Sequence, residues 1–101
     1  MQQWTKEQFY THLNSGNKGA FYLYTPLCGT CQLAGKMLDI VQKAMPEFLM
    51  GKADLNFLPE IAETFQVESV PCLLIFENKQ IKEKVYAFQN VSYLYEKLKS
   101  S

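Results

Sequence analysis

The chain has 101 residues, of which 48% are hydrophobic, and its ten basic and ten acidic side chains give a formal net charge of zero. This length supports one core, so we expect residues 1–101 to form a single domain. Because no basic block stands out, we do not expect nucleic acid as a partner. No apolar run approaches the roughly 18 residues of a membrane helix and no targeting segment opens the chain, which predicts a cytoplasmic protein with no membrane partner.

A capping box predicts the first helix. Thr5 and Gln8 have the spacing at which each side chain satisfies a backbone N–H of the other, and the helix should run to about Asn14. The residues before it, 2–4, are at most a short strand. Residues 20–24 form an unbroken apolar run, which is typical of a strand covered on both faces and predicts a central strand.

The rest of the chain alternates between helix and strand patterns and then changes to a hairpin. Apolar residues first recur at helical spacing, and strand-like runs follow. The predicted elements are a helix that ends at Pro46, a strand at 48–55, a short helix around 57–65, hairpin strands at 72–76 and 81–86, and a last helix capped by Asn90. This order is typical of an α/β domain with a mixed sheet.

The motif Cys28-Gly29-Thr30-Cys31 lies between the first central strand and the helix that follows it. The unpaired N–H groups and the positive dipole end of that helix favour a thiolate at Cys28. Cys31 falls within the first helical turn and should be shielded from solvent. We therefore predict a redox dithiol in which Cys28 is the nucleophile and Cys31 is the resolving thiol.

Metal binding and simple burial are the alternatives for these thiols. A zinc site needs about four ligands, and the remaining candidates, Cys72 and His12, do not form a second close pair. Three cysteines are an odd number, which argues against a disulfide-bonded secreted scaffold. We therefore expect no bound metal and favour the redox interpretation.

The order of elements resembles the thioredoxin family across nearly the whole chain. The residues that carry the resemblance are the motif Cys28 to Cys31, Lys52 in the next strand, and the segment Val67 to Pro71. The resemblance implies a thioredoxin fold, an α/β architecture with a mixed sheet of four to five strands flanked by about four helices. It also implies a cis peptide bond before Pro71, beside the dithiol, where the backbone around Val70 would pair with an extended substrate.

The chain departs from the family pattern at three positions. Leu27 and Thr30 stand where thioredoxins usually have tryptophan and proline, and Tyr22 stands where the family has a buried acid facing the lysine matched by Lys52. We expect the Tyr22 hydroxyl to bond Lys52 or a water, and the Lys52 ammonium to favour the thiolate. The alternatives are a lysine whose head reaches solvent and a tyrosine that only fills the core.

Several other residues complete the predicted site. Gly29 and Thr30, between the two cysteines, tune the reduction potential. Cys72 directly follows Pro71 and is either a third thiol that exchanges with Cys31 or an inert core thiol, since free cysteine is among the most buried residue types. The residues expected to line a substrate groove are Tyr24, Pro26, Leu27 and Val70.

The resemblance implies a thiol-disulfide oxidoreductase that reduces disulfides in protein substrates. Cys28 would attack the substrate disulfide and Cys31 would resolve the mixed disulfide. The resemblance also implies an NADPH-dependent thioredoxin reductase, or another dithiol donor, as partner, and we expect a monomer with no bound cofactor. The alternatives are an oxidising, isomerising or glutathione-linked exchanger on the same fold, and a thioredoxin-like binding module without turnover.

Overall fold

The computed structural model describes residues 1–99, and within them it shows five strands and four α-helices. The strands are β1 (Gln2–Gln3), β2 (Gly19–Tyr24), β3 (Leu49–Asp54), β4 (Cys72–Glu77) and β5 (Gln80–Val85). The helices are α1 (Lys6–Asn14), α2 (Gly29–Ala44), α3 (Pro59–Thr64) and α4 (Val91–Lys99). None of these helices is long and apolar enough to cross a membrane.

The strands form one mixed sheet in the order β1-β3-β2-β4-β5. β3 pairs in parallel with both β1 and β2, whereas β4 pairs antiparallel with β2 and with β5. The predicted mixed sheet is therefore confirmed, and the short N-terminal segment supplies its fifth strand. Because β2 is central, its carboxyl end lies between the end of β3 and the start of β4, and the loops at these three points meet at one edge of the sheet.

Local side-chain caps set two of the helix starts, as the sequence predicts. The Thr5 Oγ1 accepts the Gln8 N–H at 3.1 Å while the Thr5 N–H donates to Gln8 Oε1 at 2.9 Å, so the capping box is complete. At α4 the Asn90 Oδ1 accepts the Tyr93 N–H at 2.8 Å. Each cap satisfies backbone N–H groups that have no partner within the helix.

The segment after β3 differs in detail from its prediction. The helix expected around 57–65 is divided into a 3₁₀ turn at Leu55–Phe57 and the shorter α3. The Asp54 side chain accepts the Asn56 N–H at 2.9 Å and starts the 3₁₀ turn. α3 then begins at Pro59, whose fixed φ and missing N–H suit the first helical position.

The two faces of the sheet carry separate apolar layers, and both central strands are buried almost throughout. α2 and α4 cover one face, where the buried residues include Ala20, Tyr22, Leu38, Val41, Leu73, Ile75, Leu94 and Leu98. α1 and α3 cover the other, where they include Trp4, Phe9, Phe21, Leu23, Ile61, Cys72, Leu74 and Phe76. Burial on both sides accounts for the unbroken apolar runs of β2 and β4.

Candidate active site

The dithiol loop, residues 25–31, connects β2 to the first turn of α2. The Cys28 N–H donates to the Thr25 carbonyl at 3.3 Å, and the Cys28 carbonyl accepts the Gln32 N–H at 3.2 Å. Cys28 is the N-cap of α2, and its Sγ accepts the Cys31 N–H at 3.1 Å. A thiolate at Cys28 thus caps the positive end of a four-turn helix, which is the placement that stabilises negative charge.

Hydrogen bonds at Cys28 favour its ionised form. The Thr30 Oγ1 lies 3.2 Å from Cys28 Sγ. Hydrogen bonds from the side chains of Cys31 and Thr30 lower the pKa of the Cys28 thiol below its ordinary value, and the backbone N–H groups of the same two residues add to this. Because Cys28 is also partly exposed, the structure gives it the thiolate character and the access that a nucleophile needs.

Cys31 has the opposite properties. Its side chain is only 3% exposed. Burial raises the pKa of the Cys31 thiol to about 11, and its hydrogen bond to Cys28 adds to the rise. The pair therefore consists of one accessible sulfur whose pKa is lowered and one shielded thiol whose pKa is raised.

Tyr22 holds the backbone of the second cysteine. Its hydroxyl donates to the Cys31 carbonyl. The sequence predicts a bond with Lys52 or a water and does not predict this acceptor. Gly35, one turn after Cys31, also faces Tyr22, and a Cβ there would be in ordinary van der Waals contact at 3.6 Å from the Tyr22 ring. Burial raises the pKa of Tyr22 above its usual range, so the hydroxyl stays protonated and acts as a donor.

A cavity of about 350 Å³ lies beside the shielded thiol. Its walls include Cys31, Tyr22, Tyr24, Pro26 and Lys52. The cavity therefore brings together residues predicted to support the dithiol and residues predicted to line the substrate groove. Lys52 lies opposite Tyr22 in the β2–β3 register, and its Nζ is 5.9 Å from the centroid of the Tyr24 ring. The ammonium thus lies over an aromatic face that attracts it. Its effect on the thiolate stays a prediction.

The segment before β4 lies beside the end of β2, because Cys72 pairs with Leu23 in the antiparallel register. The Val70–Pro71 peptide bond is cis, as the resemblance implies. Val70 and Pro71 are both half-buried. Leu27, in the neighbouring dithiol loop, is 99% exposed and presents its whole side chain to any partner.

Cys72 lies in a different layer from the dithiol. Its side chain is fully buried in the layer beneath α1 and α3, whereas Cys31 belongs to α2 on the other face of the sheet. Burial raises the pKa of the Cys72 thiol to about 11. This geometry favours the inert core thiol over exchange with Cys31. Across residues 1–99, no three His, Cys, Asp or Glu side chains are grouped as a metal site requires.

Two residues that the sequence patterns do not single out contact the proline loop, residues 65–71. Lys84 Nζ donates to the carbonyls of Phe65 and Gln66, both at 3.1 Å. The Tyr86 hydroxyl accepts the Glu68 N–H at 3.2 Å. The one signal in the sequence is that Lys84 and Tyr86 are two positions apart, which places them on the same side of an extended chain.

Comparison with known proteins gives the same family at the levels of sequence and fold. The thioredoxin family model matches residues 1–100. The thioredoxin-like protein YusE of Bacillus subtilis is 50% identical over 78 residues, which cover 77% of this chain and 74% of that protein. A bifunctional thioredoxin reductase/thioredoxin of Mycobacterium leprae is 26% identical over 83 residues, covering 80% of this chain and 18% of that protein.

Among solved structures, oxidised mitochondrial thioredoxin 3 from Saccharomyces cerevisiae superimposes with a TM-score of 0.87. The match covers 100% of this chain and 95% of the yeast chain at 22% sequence identity, so it shows the shared fold. Together with the motif between β2 and α2, these similarities assign the activity at the level of the family. The chain belongs to the thioredoxin family of thiol-disulfide oxidoreductases.

Proposed function

We propose that this protein reduces disulfides in other proteins, with Cys28 as the attacking thiolate and Cys31 as the resolving thiol. The observation that carries the proposal is the placement of the two sulfurs within one helical turn, where Cys28 is the partly exposed N-cap of α2 and the Cys31 side chain is only 3% exposed. The lowered pKa of Cys28 and the raised pKa of Cys31 agree with this placement. A pair with one accessible thiolate and one protonated, buried thiol suits a sequence of two exchanges, because only the first sulfur competes for the incoming disulfide.

In the first exchange, the Cys28 sulfur attacks one sulfur of the substrate disulfide. The Cys28–substrate S–S bond forms while the substrate S–S bond breaks, and the departing thiolate takes a proton from solvent. The product is a mixed disulfide in which Cys28 no longer carries charge. The local hydrogen bonds that favoured the thiolate favour this step because they raise the thiolate fraction at neutral pH.

In the second exchange, Cys31 loses its proton to solvent and attacks the Cys28 sulfur. Formation of the mixed disulfide assists this loss, because the charge and the hydrogen bond of Cys28 both raise the pKa of Cys31 and both end when Cys28 is bonded to substrate. The Cys28–Cys31 bond forms, the mixed disulfide breaks, and the second substrate thiolate leaves and is protonated. The substrate gains two electrons and the dithiol loses two.

The substrate would lie along the mouth formed by the dithiol loop and the proline loop. We propose that an extended segment of the target pairs with the backbone around Val70 and places its disulfide over Cys28. Tyr24, Pro26 and the fully exposed Leu27 would contact the residues that flank that disulfide. Backbone pairing requires no particular target sequence, which suits a reductase that acts on several proteins.

A dithiol donor must return the Cys28–Cys31 disulfide to the reduced state. The Mycobacterium leprae relative joins a thioredoxin reductase and a thioredoxin in one chain, and this supports an NADPH-dependent thioredoxin reductase as the donor. A donor of this type works in a reducing compartment, so we propose that the protein functions in the cytoplasm.

The test is the reduction of insulin by dithiothreitol with catalytic amounts of the protein. Cys28→Ser should lower the rate to the uncatalysed background, because serine supplies no thiolate. Cys72→Ser is the matched control and should keep the wild-type rate, since Cys72 lies in the other apolar layer. A Cys28→Ser protein that still reduces insulin would falsify the assignment of the nucleophile.

The reduction potential separates reduction from the alternatives on the same fold. We expect a value near about −270 mV in dithiothreitol redox buffers, as for reducing thioredoxins, whereas a value at about −200 mV or above indicates an oxidising or glutathione-linked exchanger. If no Cys28–Cys31 disulfide forms in any buffer, the protein is a binding module without turnover.

A further inference from the structure

Backbone bonds hold the start of the proline loop, where the N–H groups of Phe65, Gln66 and Val67 donate to carbonyls of α3. The Val67 N–H donates to the Ala62 carbonyl at 2.9 Å and ends the α3 turn, and Gln66 adopts a left-handed conformation with φ of +54°. Glu68 and Ser69 beyond it are exposed and belong to no strand or helix. A segment of this kind adopts one position only when other parts of the molecule hold it.

Lys84 of β5 holds the first part of this loop. Its ammonium donates to the carbonyls of Phe65 and Gln66, the two residues that follow α3. Carbonyls at the end of a helix have no partner within the helix, and a cation there also interacts favourably with the helix dipole. One side chain 18 to 19 positions away thus binds both carbonyls at the point where the loop leaves the helix.

Tyr86 holds the second part of the loop. Its hydroxyl accepts the Glu68 N–H, and its ring packs against the apolar layer beneath α1 and α3. The apolar layer that the ring packs against includes Cys72, the residue directly after Pro71. Tyr86 therefore binds the loop directly before the segment 69–71.

We infer that Lys84 and Tyr86 position the proline loop for protein substrates, so that they set the affinity for an extended target without taking part in thiol exchange. The inference rests on the proposed function, because it assigns these residues to the substrate mouth. The three hydrogen bonds join β5 and its extension to residues 65–68, three to six positions before Pro71. Lys84 and Tyr86 are positioning residues, since these three hydrogen bonds join them to the loop and not to Cys28 or Cys31.

This arrangement predicts different effects on large and small substrates. A target polypeptide needs the backbone around Val70 already in place, and a mobile loop must be ordered at the expense of binding energy. A small aromatic disulfide needs only Cys28 and makes no strand-like contact. Loosening the loop should therefore raise KM for a protein substrate by about threefold to tenfold, which corresponds to the cost of ordering one or two side chains. The KM for the small disulfide should not change.

The experiment compares Lys84→Met and Tyr86→Phe with two controls. Lys84→Arg keeps a cation and its donors, and Lys82→Met removes an exposed lysine from the same strand. For insulin we expect the first two variants to raise KM with kcat unchanged, and Lys84→Arg to restore most of the affinity. The reduction potential and the kinetics with 5,5′-dithiobis(2-nitrobenzoate) should match those of the wild-type protein in all four variants.

Hydrogen–deuterium exchange at residues 66–70 provides a readout that does not depend on activity. Faster exchange in Lys84→Met and Tyr86→Phe, together with a higher KM for insulin, supports the inference. Unchanged exchange overturns the inference. Faster exchange also overturns it if KM for insulin is unchanged, or if the kinetics with the small disulfide are impaired to the same extent. If the wild-type protein reduces neither substrate, the proposed function fails, while the exchange data still show whether β5 positions the loop.

Discussion

The dithiol loop and the proline loop meet at the same edge of the sheet, but they are held in different ways. Within the dithiol loop, the bonds made by Cys28 reach only from Thr25 to Gln32. The proline loop depends on Lys84 and Tyr86, which bind it from 18 to 19 positions away. Cys28 thus binds only neighbours in the chain, whereas the proline loop combines backbone bonds to α3 with side-chain bonds from β5 and its extension.

Because of this difference, the reactivity of Cys28 and the position of the backbone around Val70 depend on different residues. The environment of the Cys28 sulfur is built from neighbours in the chain, so changes there should alter reactivity and leave the rest of the molecule intact. The position of Val70 is built from distant contacts, so changes there should alter substrate affinity and leave reactivity intact. Tyr22 is the exception, because it binds the Cys31 carbonyl from nine positions away.

Among the variants that test this comparison of the two loops, the largest effect is expected for Cys31→Ala. Without the resolving thiol, the first exchange still occurs but the mixed disulfide persists, so turnover of insulin should fall by about 10²-fold or more. Mass spectrometry should show the protein covalently joined to its substrate. Cys72→Ala is the matched control, since it removes a second buried thiol and should keep turnover and form no trapped complex.

An intermediate effect is expected for Thr30→Val, which tests whether local hydrogen bonds set the reactivity of Cys28. The valine removes one of the bonds that lower the pKa of Cys28, so this pKa should rise. Because alkylation requires the thiolate, the rate with iodoacetamide should rise with pH through this pKa. The curve of the variant should therefore lie at higher pH, with slower alkylation at neutral pH.

Thr30→Ser is the control, because it keeps the hydroxyl and should keep the wild-type curve. The shift in Thr30→Val should be partial, since the hydrogen bond from Cys31 is the larger cause of the lowered pKa and remains. An unchanged curve in the valine variant would contradict the role of Thr30. It would leave Cys31 and the helix N-terminus as the groups that activate Cys28.

Local patterns in the sequence predict most of the fold. The capping box at Thr5, the strand at 20–24 and the cap at Asn90 are all confirmed, because each depends on residues within a few positions of one another. The position of Cys28 at the start of α2 follows from the same kind of signal, an apolar run that ends just before a helical pattern. These features need no knowledge of the rest of the molecule.

Contacts between distant elements are what the sequence does not predict. The partner of the Tyr22 hydroxyl depends on which acceptor the packed α2 brings to it in the folded state. Lys84 belongs to a strand with a largely exposed surface, where a lysine is usually solvated, and nothing local indicates that its ammonium binds the end of α3. The packing of helices and loops against the sheet, rather than sequence spacing, determines both contacts.

The smallest expected effect concerns Gln66, where the proline loop leaves α3 with a positive φ. Left-handed backbone costs a residue with a Cβ about 1–2 kcal/mol, and glycine avoids this cost. Glycine also gains freedom in the unfolded chain, which opposes the benefit by about 0.4–1 kcal/mol. Gln66→Gly should therefore stabilise the protein by about 0.5–1 kcal/mol in urea unfolding, whereas Glu63→Gly inside α3 should destabilise it by about 1 kcal/mol.

The same change tests the dependence of the loop on β5. Lys84 binds the Gln66 carbonyl, and this bond helps to keep Gln66 in its strained conformation. If glycine removes the strain, Lys84→Met should cost less stability in the Gln66→Gly background than in the wild-type protein, so the two changes should not be additive. Strict additivity would show that Lys84 binds the carbonyl without restraining the turn. In that case the proline loop would resemble the dithiol loop more closely, with its first turn supported from within.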